Sequence, residues 1–155
     1  MKNIILVIMI ILLLSGCKQS PEQRVINPGA QSRILIAMTT TEFKEQIVSR
    51  IINDFGERAT IEINGLSSLK KVNPAEYDAI IIMDACEAGM KFNASLNNFT
   101  SKHTETDNAI FIITAGDPDW EWDNKNYRAI TSASETSHIS DIVSELEIWL
   151  AERIK

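Results

Sequence analysis

The sequence predicts an α/β domain of three layers: a five-stranded parallel sheet between two layers of helices, with the fourth helix short or missing. The runs Ala79-Ile80-Ile81-Ile82-Met83 and Ala109-Ile110-Phe111-Ile112-Ile113 are apolar at every position, as strands are when both faces of their sheet are covered. Residues 43–55 carry apolar side chains at 43, 47, 48, 51, 52 and 55, the spacing of one helical face. Strand-like and helix-like stretches alternate along the chain, and such alternation selects a parallel sheet with right-handed crossovers.

The first strand of the domain is Ile34-Leu35-Ile36-Ala37-Met38, short and wholly apolar. The helix over 43–55 follows. Thr39 with Glu42 three residues on has the form of a capping box, and Gly56 suits the helix stop. Thr60-Ile61-Glu62-Ile63 reads as a second strand and 66–72 as a brief helix. The two apolar runs at 79–83 and 109–113 form the centre of the sheet, with a helix over 92–101 between them. Residues 114–128 are too few for a full helix and its connections, and Ala129-Ile130-Thr131 supplies the fifth strand. A last helix spans about 139–154, with Ile139, Ile142, Val143, Leu146, Trp149 and Leu150 on one stripe.

Upstream, Lys2 precedes an unbroken apolar run from Ile4 to Leu14, the length of a secretory signal and too short to span a bilayer. The run ends in Leu14-Ser15-Gly16-Cys17, which resembles the lipobox of bacterial lipoproteins at all four positions. That resemblance implies that 1–16 are removed as a signal peptide and that Cys17 becomes the acylated, palmitate-bearing first residue of an extracytoplasmic protein held at a cell or outer membrane. Lys18, in place of an aspartate, implies the outer membrane where the cell has one. The other reading is an ordinary signal followed by an unrelated cysteine. Acyl chains bury many methylenes at about 0.8 kcal/mol each and anchor a domain without a transmembrane helix.

Residues 17–32 comprise the lipidated cysteine and a polar stretch with Pro21, Pro28 and Gly29, read as a flexible tether. Residues 33–155 then make one domain. With Cys17 acylated, Cys86 is the single remaining thiol, so no disulfide forms within the mature chain. Loss of Lys2 takes 15 basic residues to 14 against 21 acidic ones, a net charge of −7, which argues against nucleic acid as a partner.

Ligands of open parallel sheets lie beyond the carboxyl ends of the strands. The segments there are 39–42, 84–90, 114–124 and 131–137, rich in small and polar residues. The succession of strand, Thr-rich loop and helix, then Tyr77-Asp78-Ala79-Ile80-Ile81-Ile82 and Ile112-Ile113-Thr114-Ala115-Gly116-Asp117, resembles a flavodoxin over 33–155. In that family a T/S-x-T-G-x-T loop wraps the phosphate of FMN at a helix N-terminus, where amides and dipole favour an anion. Thr39-Thr40-Thr41-Glu42-Phe43-Lys44 keeps the first and third threonines, with Glu42 for the glycine and Lys44 for the last threonine.

The resemblance implies FMN contacts from Thr39, Thr40 and Thr41, from Asp84, Ala85 and Cys86, and from Thr114, Ala115, Gly116 and Asp117. Trp120 is the candidate to stack on the flavin ring, with Trp122 in reserve. Their other reading is a cover over the sheet where the fourth helix is missing. Residues 128–137 are similar to the D-x-x-S/T-G-A-T-x-T-S segment of extracytoplasmic FMN-binding domains, which makes Ser134 a covalent acceptor by position; Arg128, Ser132 and Ser134 itself depart from that pattern. A hydroxyl-rich turn capping the last helix explains the same letters.

The function expected from these residues is FMN-dependent electron transfer at a membrane surface, with a redox protein as partner; the alternative is a flavin-free interaction or ligand-binding module of the same fold. A phosphoacceptor reading of Asp84 fails because Ala37 and Met38 stand where an acidic, Mg²⁺-binding pair belongs. The alternating acids 117–123 lack the turn glycine of a calcium loop. His103 and His138 have neither metal-ligand spacing nor a neighbouring cysteine. Cys86 is either a reactive thiol or a buried one, and the Asn93-Ala94-Ser95 and Asn98-Phe99-Thr100 sequons are coincidental in a bacterial chain.

Overall fold

A computed structural model describes residues 21–86, 92–104, 106–116, 120–123 and 126–155. Cys17 and Asp117 lie outside them. The strands are β1 (Arg24–Ile26), β2 (Ser32–Met38), β3 (Ala59–Gly65), β4 (Ala79–Ala85), β5 (Ala109–Thr114) and β6 (Arg128–Ser132). The α-helices among the described residues are α1 (Glu42–Phe55), α2 (Ala94–Lys102) and α3 (Ile139–Ala151), with 3-10 segments at Leu66–Lys71 and Pro74–Glu76 between β3 and β4 and at Thr136–His138 before α3.

The sheet has six strands, ordered β1-β3-β2-β4-β5-β6, which corrects the expected five. The five expected strands are parallel to one another. The sixth, β1, comes from the stretch read as tether and pairs antiparallel with β3, Arg24 opposite Ile63 and Ile26 opposite Ile61. It escapes a sequence reading because three residues show no periodicity, and Pro21, Pro28 and Gly29 around it signal a loop. Two further contacts fasten it. Arg24 donates to both carboxylate oxygens of Glu45, at 3.0 and 2.8 Å, and the hydroxyl of Thr60 donates to the carbonyl of Asn27 at 2.8 Å.

β2, β4 and β5 are buried along nearly their whole length. One face of the sheet packs Ile34, Ile36, Ile81, Met83, Ile110 and Ile112 against α1 and α3, with Trp149 fully buried between them. The other face packs Leu35, Ile80, Ile82, Phe111 and Ile113 against Leu66, Leu69, Leu96 and Phe99. Among the described residues between β5 and β6 no helix occurs. Trp120, Trp122 and Tyr127 cover the sheet there instead, partly buried against this second cluster.

Candidate functional site

β2 ends at Met38, and the three threonines that follow lead into α1. The expected cap, Thr39, is two residues too early. Thr41 occupies the N-cap, and its hydroxyl accepts the amide hydrogen of Lys44 at 3.3 Å. One of the free helix-end amides is thereby taken by the chain itself. Glu42, the first residue of the helix, is exposed. The unexpected member of the loop is Lys44. Its side chain is 2 % exposed and its ammonium donates to the Thr39 hydroxyl at 2.7 Å. Beside it, the Thr40 hydroxyl is shielded from solvent without a hydrogen-bond partner among the described residues.

One strand over, Asp84 is the penultimate residue of β4, 3 % exposed, and its carboxylate accepts the amide hydrogen of Asn93 at 2.9 Å, just before α2. Asn93 in turn caps that helix by accepting from the Ser95 amide at 2.8 Å. Met38 and Met83 are register partners, so the Thr39 and Asp84 segments leave the sheet side by side. The hydroxyl of Thr114, buried at the end of β5, donates to the Asp84 carbonyl at 3.4 Å, and the Cys86 amide donates to the Thr114 carbonyl at 2.8 Å. The Ala115 amide donates to Ser132 at 3.1 Å. Ala85 and Cys86 are half-buried, Gly116 is exposed, and a side chain at Gly116 would meet nothing within 4 Å. Thr39, Asp84 and Thr114 thus share one edge.

The two tryptophans divide. Trp122 lies 5.1 Å from Phe111 and 6.3 Å from Tyr127 with its plane 7° from the tyrosine ring, and 5.7 Å from Phe92. That packing makes it part of the cover over the sheet. Trp120 contacts Phe92 at 6.1 Å and is half-buried, which leaves part of its ring available. Burial raises the hydroxyl pKa of Tyr127 above the ordinary tyrosine range; that hydroxyl donates to the carbonyls of Thr100 and His103 at the end of α2.

Ser134 stands exposed after β6, apart from these contacts. Nearby is a pairing that sequence reasoning missed: the Ser132 hydroxyl lies 2.9 Å from Nδ1 of His138 and 2.9 Å from the Ala133 carbonyl. Both residues line a cavity of about 260 Å³ between β6 and α3, with Thr131, Asp141, Ile142 and Glu145. The six-residue separation gave no signal, because only the turn at Thr136–His138 brings the ring back to the strand end. Among the described residues no group of three or more His, Cys, Asp or Glu is placed to hold a metal ion, and no helix is long and apolar enough to cross a membrane.

No protein-family model matches the chain, and no curated protein matches it. Solved structures do. Flavodoxin 2 from Bacillus cereus superimposes with a TM-score of 0.51 at 14 % identity, over 79 % of this chain and 100 % of that one. The flavodoxin of Streptococcus pneumonia TIGR4 gives 0.50 at 12 % identity, over 77 % and 98 %. At such identities the likeness establishes architecture and not chemistry. With its parallel five-strand core and the helices on both faces, the chain has a flavodoxin-like fold.

Proposed function

We propose that this chain is a membrane-anchored flavodoxin-like protein that binds FMN at the carboxyl edge of its sheet and transfers electrons outside the cytoplasm. The observation that carries the reading is the Thr39–Lys44 loop. A buried ammonium, two threonine hydroxyls and the positive end of a 14-residue helix converge beside the ends of the central strands. These groups fit a phosphate: Lys44 supplies the charge that the family's glycine-rich loop lacks, and the shielded Thr40 hydroxyl has a donor to give. Glu42, the first residue of α1, is exposed, and the cap position before it belongs to Thr41. Trp120 would lie against the flavin ring. When bound, FMN supplies the redox chemistry, while the chain orients it and keeps water from one face. The acylated Cys17 would hold the domain at the membrane.

The packing of Trp122 into the aromatic cover favours a second reading, a flavin-free domain that binds another anionic ligand at the same loop. The visible spectrum of the purified full-length chain decides. Yellow colour released by acid precipitation supports noncovalent FMN; colour retained in the pellet supports attachment at Ser134. A colourless chain that ignores added FMN leaves the second reading. Lys44→Met weakens FMN binding on the order of ten- to a hundredfold, the worth of a hydrogen bond to a charged group, as read by fluorescence titration. Unchanged affinity removes Lys44 from the site.

A further inference from the structure

β6 closes one side of the sheet and pairs with β5 alone. The Ser132 carbonyl accepts the Ala115 amide hydrogen just past the end of β5. Backbone groups alternate in direction along a strand, so Arg128, Ile130 and Ser132 turn theirs toward β5. Ala129 and Thr131 turn theirs outward, where no described strand takes them up. Side chains alternate between the two faces. Arg128, Ile130 and Ser132 stand on the α3 face, where Arg128 meets Glu145 at 3.3 Å and Ser132 meets His138 at 2.9 Å. α3 thus runs back along β6, with Glu145 beside the start of the strand and His138 beside its end. Asp141, exposed where it lines the cavity between β6 and α3, has no ion pair among the described residues. The opposite edge strand, β1, is three residues long, whereas β6 has five.

We infer that the outer side of β6 is a pairing edge for a second copy of this chain, antiparallel about a two-fold axis at Ile130. In that register residue 129 of each copy lies opposite residue 131 of the other, and each such pair exchanges two hydrogen bonds. Every outward backbone group of Ala129 and Thr131 is then satisfied. On the α3 face the same register sets Arg128 of one copy opposite Ser132 of the other, at the end of the groove where Asp141 stands. The cavity of about 260 Å³ there has room for the incoming guanidinium. A base at one end of the edge and an unpaired acid at the other, on the same face, make the edge complementary to itself, as a two-fold contact requires. An unrelated extended segment would use the backbone groups but not this spacing of charges. Ile130, at the axis, meets its own counterpart. So short a ladder buries little area, which makes the association weak and concentration-dependent. It needs neither flavin nor lipid.

The test is disulfide cross-linking of the full-length chain in intact cells. The parent carries Cys86→Ala with Ala129→Cys and Thr131→Cys, which the register places opposite each other across the axis. Mild oxidation is expected to give a product of twice the chain mass on a non-reducing gel. Cys86→Ala alone, and Cys86→Ala with Val25→Cys on β1, should give none. Within the parent, Arg128→Asp or Asp141→Arg sets like charges against each other at both ends of the ladder and should lower the product about tenfold or more. Coexpressing the two charge variants with different tags should restore a mixed dimer, because the introduced aspartate then faces the introduced arginine and the native pair forms at the other end. That rescue also shows both variants to be folded, and the exposed Arg128–Glu145 pair lost in one of them contributes little stability. Charge variants that cross-link as well as the parent, a mixture that stays monomeric, or equal product from Val25→Cys overturn the inference. Adducts with other proteins in place of the double-mass product overturn the second copy as occupant.

Discussion

Lys44 gives up nearly all its hydration at 2 % exposure, and the Thr39 hydroxyl at 2.7 Å returns part of what is lost. Its neighbour Thr40 presents the opposite case, a shielded hydroxyl with no partner among the described residues. The isosteric pair Thr39→Val and Thr40→Val separates them. The first should cost about 1–3 kcal/mol by removing an acceptor from a buried charge, while the second should be neutral or stabilising in ligand-free protein; denaturant midpoints measure both. At the cap, Thr41→Ala should lower stability by about 1 kcal/mol, with Thr41→Ser restoring most of it. The letters of this loop were legible as a threonine-rich strand-to-helix turn, but the burial of Lys44 was not. In the first turn of a helix a long side chain can lie along the surface or fold under the loop, and only the packing of neighbouring strand ends decides between them.

At the level of elements, α1 and α3 lie together on one face of the sheet, and Asp54 meets Glu147 across them. Burial, then the hydrogen bond that protonated Glu147 donates to Asp54 and the negative charge of Asp54, raise the Glu147 pKa above the usual glutamate range, while Arg50 works against the shift. A carboxyl with a raised folded-state pKa binds its proton more readily in the native protein. Its stabilising contribution is present in acid and fades as pH climbs through that raised value. Glu147→Gln keeps a donor for Asp54 without the charge, so its melting temperature should gain on the natural chain as pH rises from 4 toward 7; a constant difference would contradict this. The second face relies on Tyr127 and Trp122 where a helix would ordinarily pack. Tyr127→Phe leaves the Thr100 and His103 carbonyls short of a donor and should cost about 1–3 kcal/mol by chemical denaturation. That no helix occurs among the described residues of 114–128 agrees with the shortness of that segment, whereas β1 was not readable, since its stability comes from Arg24–Glu45 and Thr60–Asn27 contacts that no local pattern encodes.

Across the whole molecule, the parallel core followed from apolar runs that leave no polar face, and their burial makes the centre unforgiving. Ile81→Ala, in a fully buried position between the two neighbouring strands, should cost about 2–5 kcal/mol. The edge strands behave differently. β1 and β6 each pair on one side only, so both were harder to bound from sequence and both admit change more readily. The position of the site at the strand ends followed from topology, but its contents depend on long-range neighbours such as Asn93 against Asp84. The three tryptophans fall on opposite sides of the sheet: Trp149 in the core beneath α3, Trp120 and Trp122 in the aromatic cover. Light absorbed by the indoles therefore samples the two sides separately. In a chain bearing Trp149→Phe the emission colour would follow the cover alone, and in one bearing Trp120→Phe and Trp122→Phe it would follow the helix-bearing side, so a single fluorimeter could time whether the two halves come apart together.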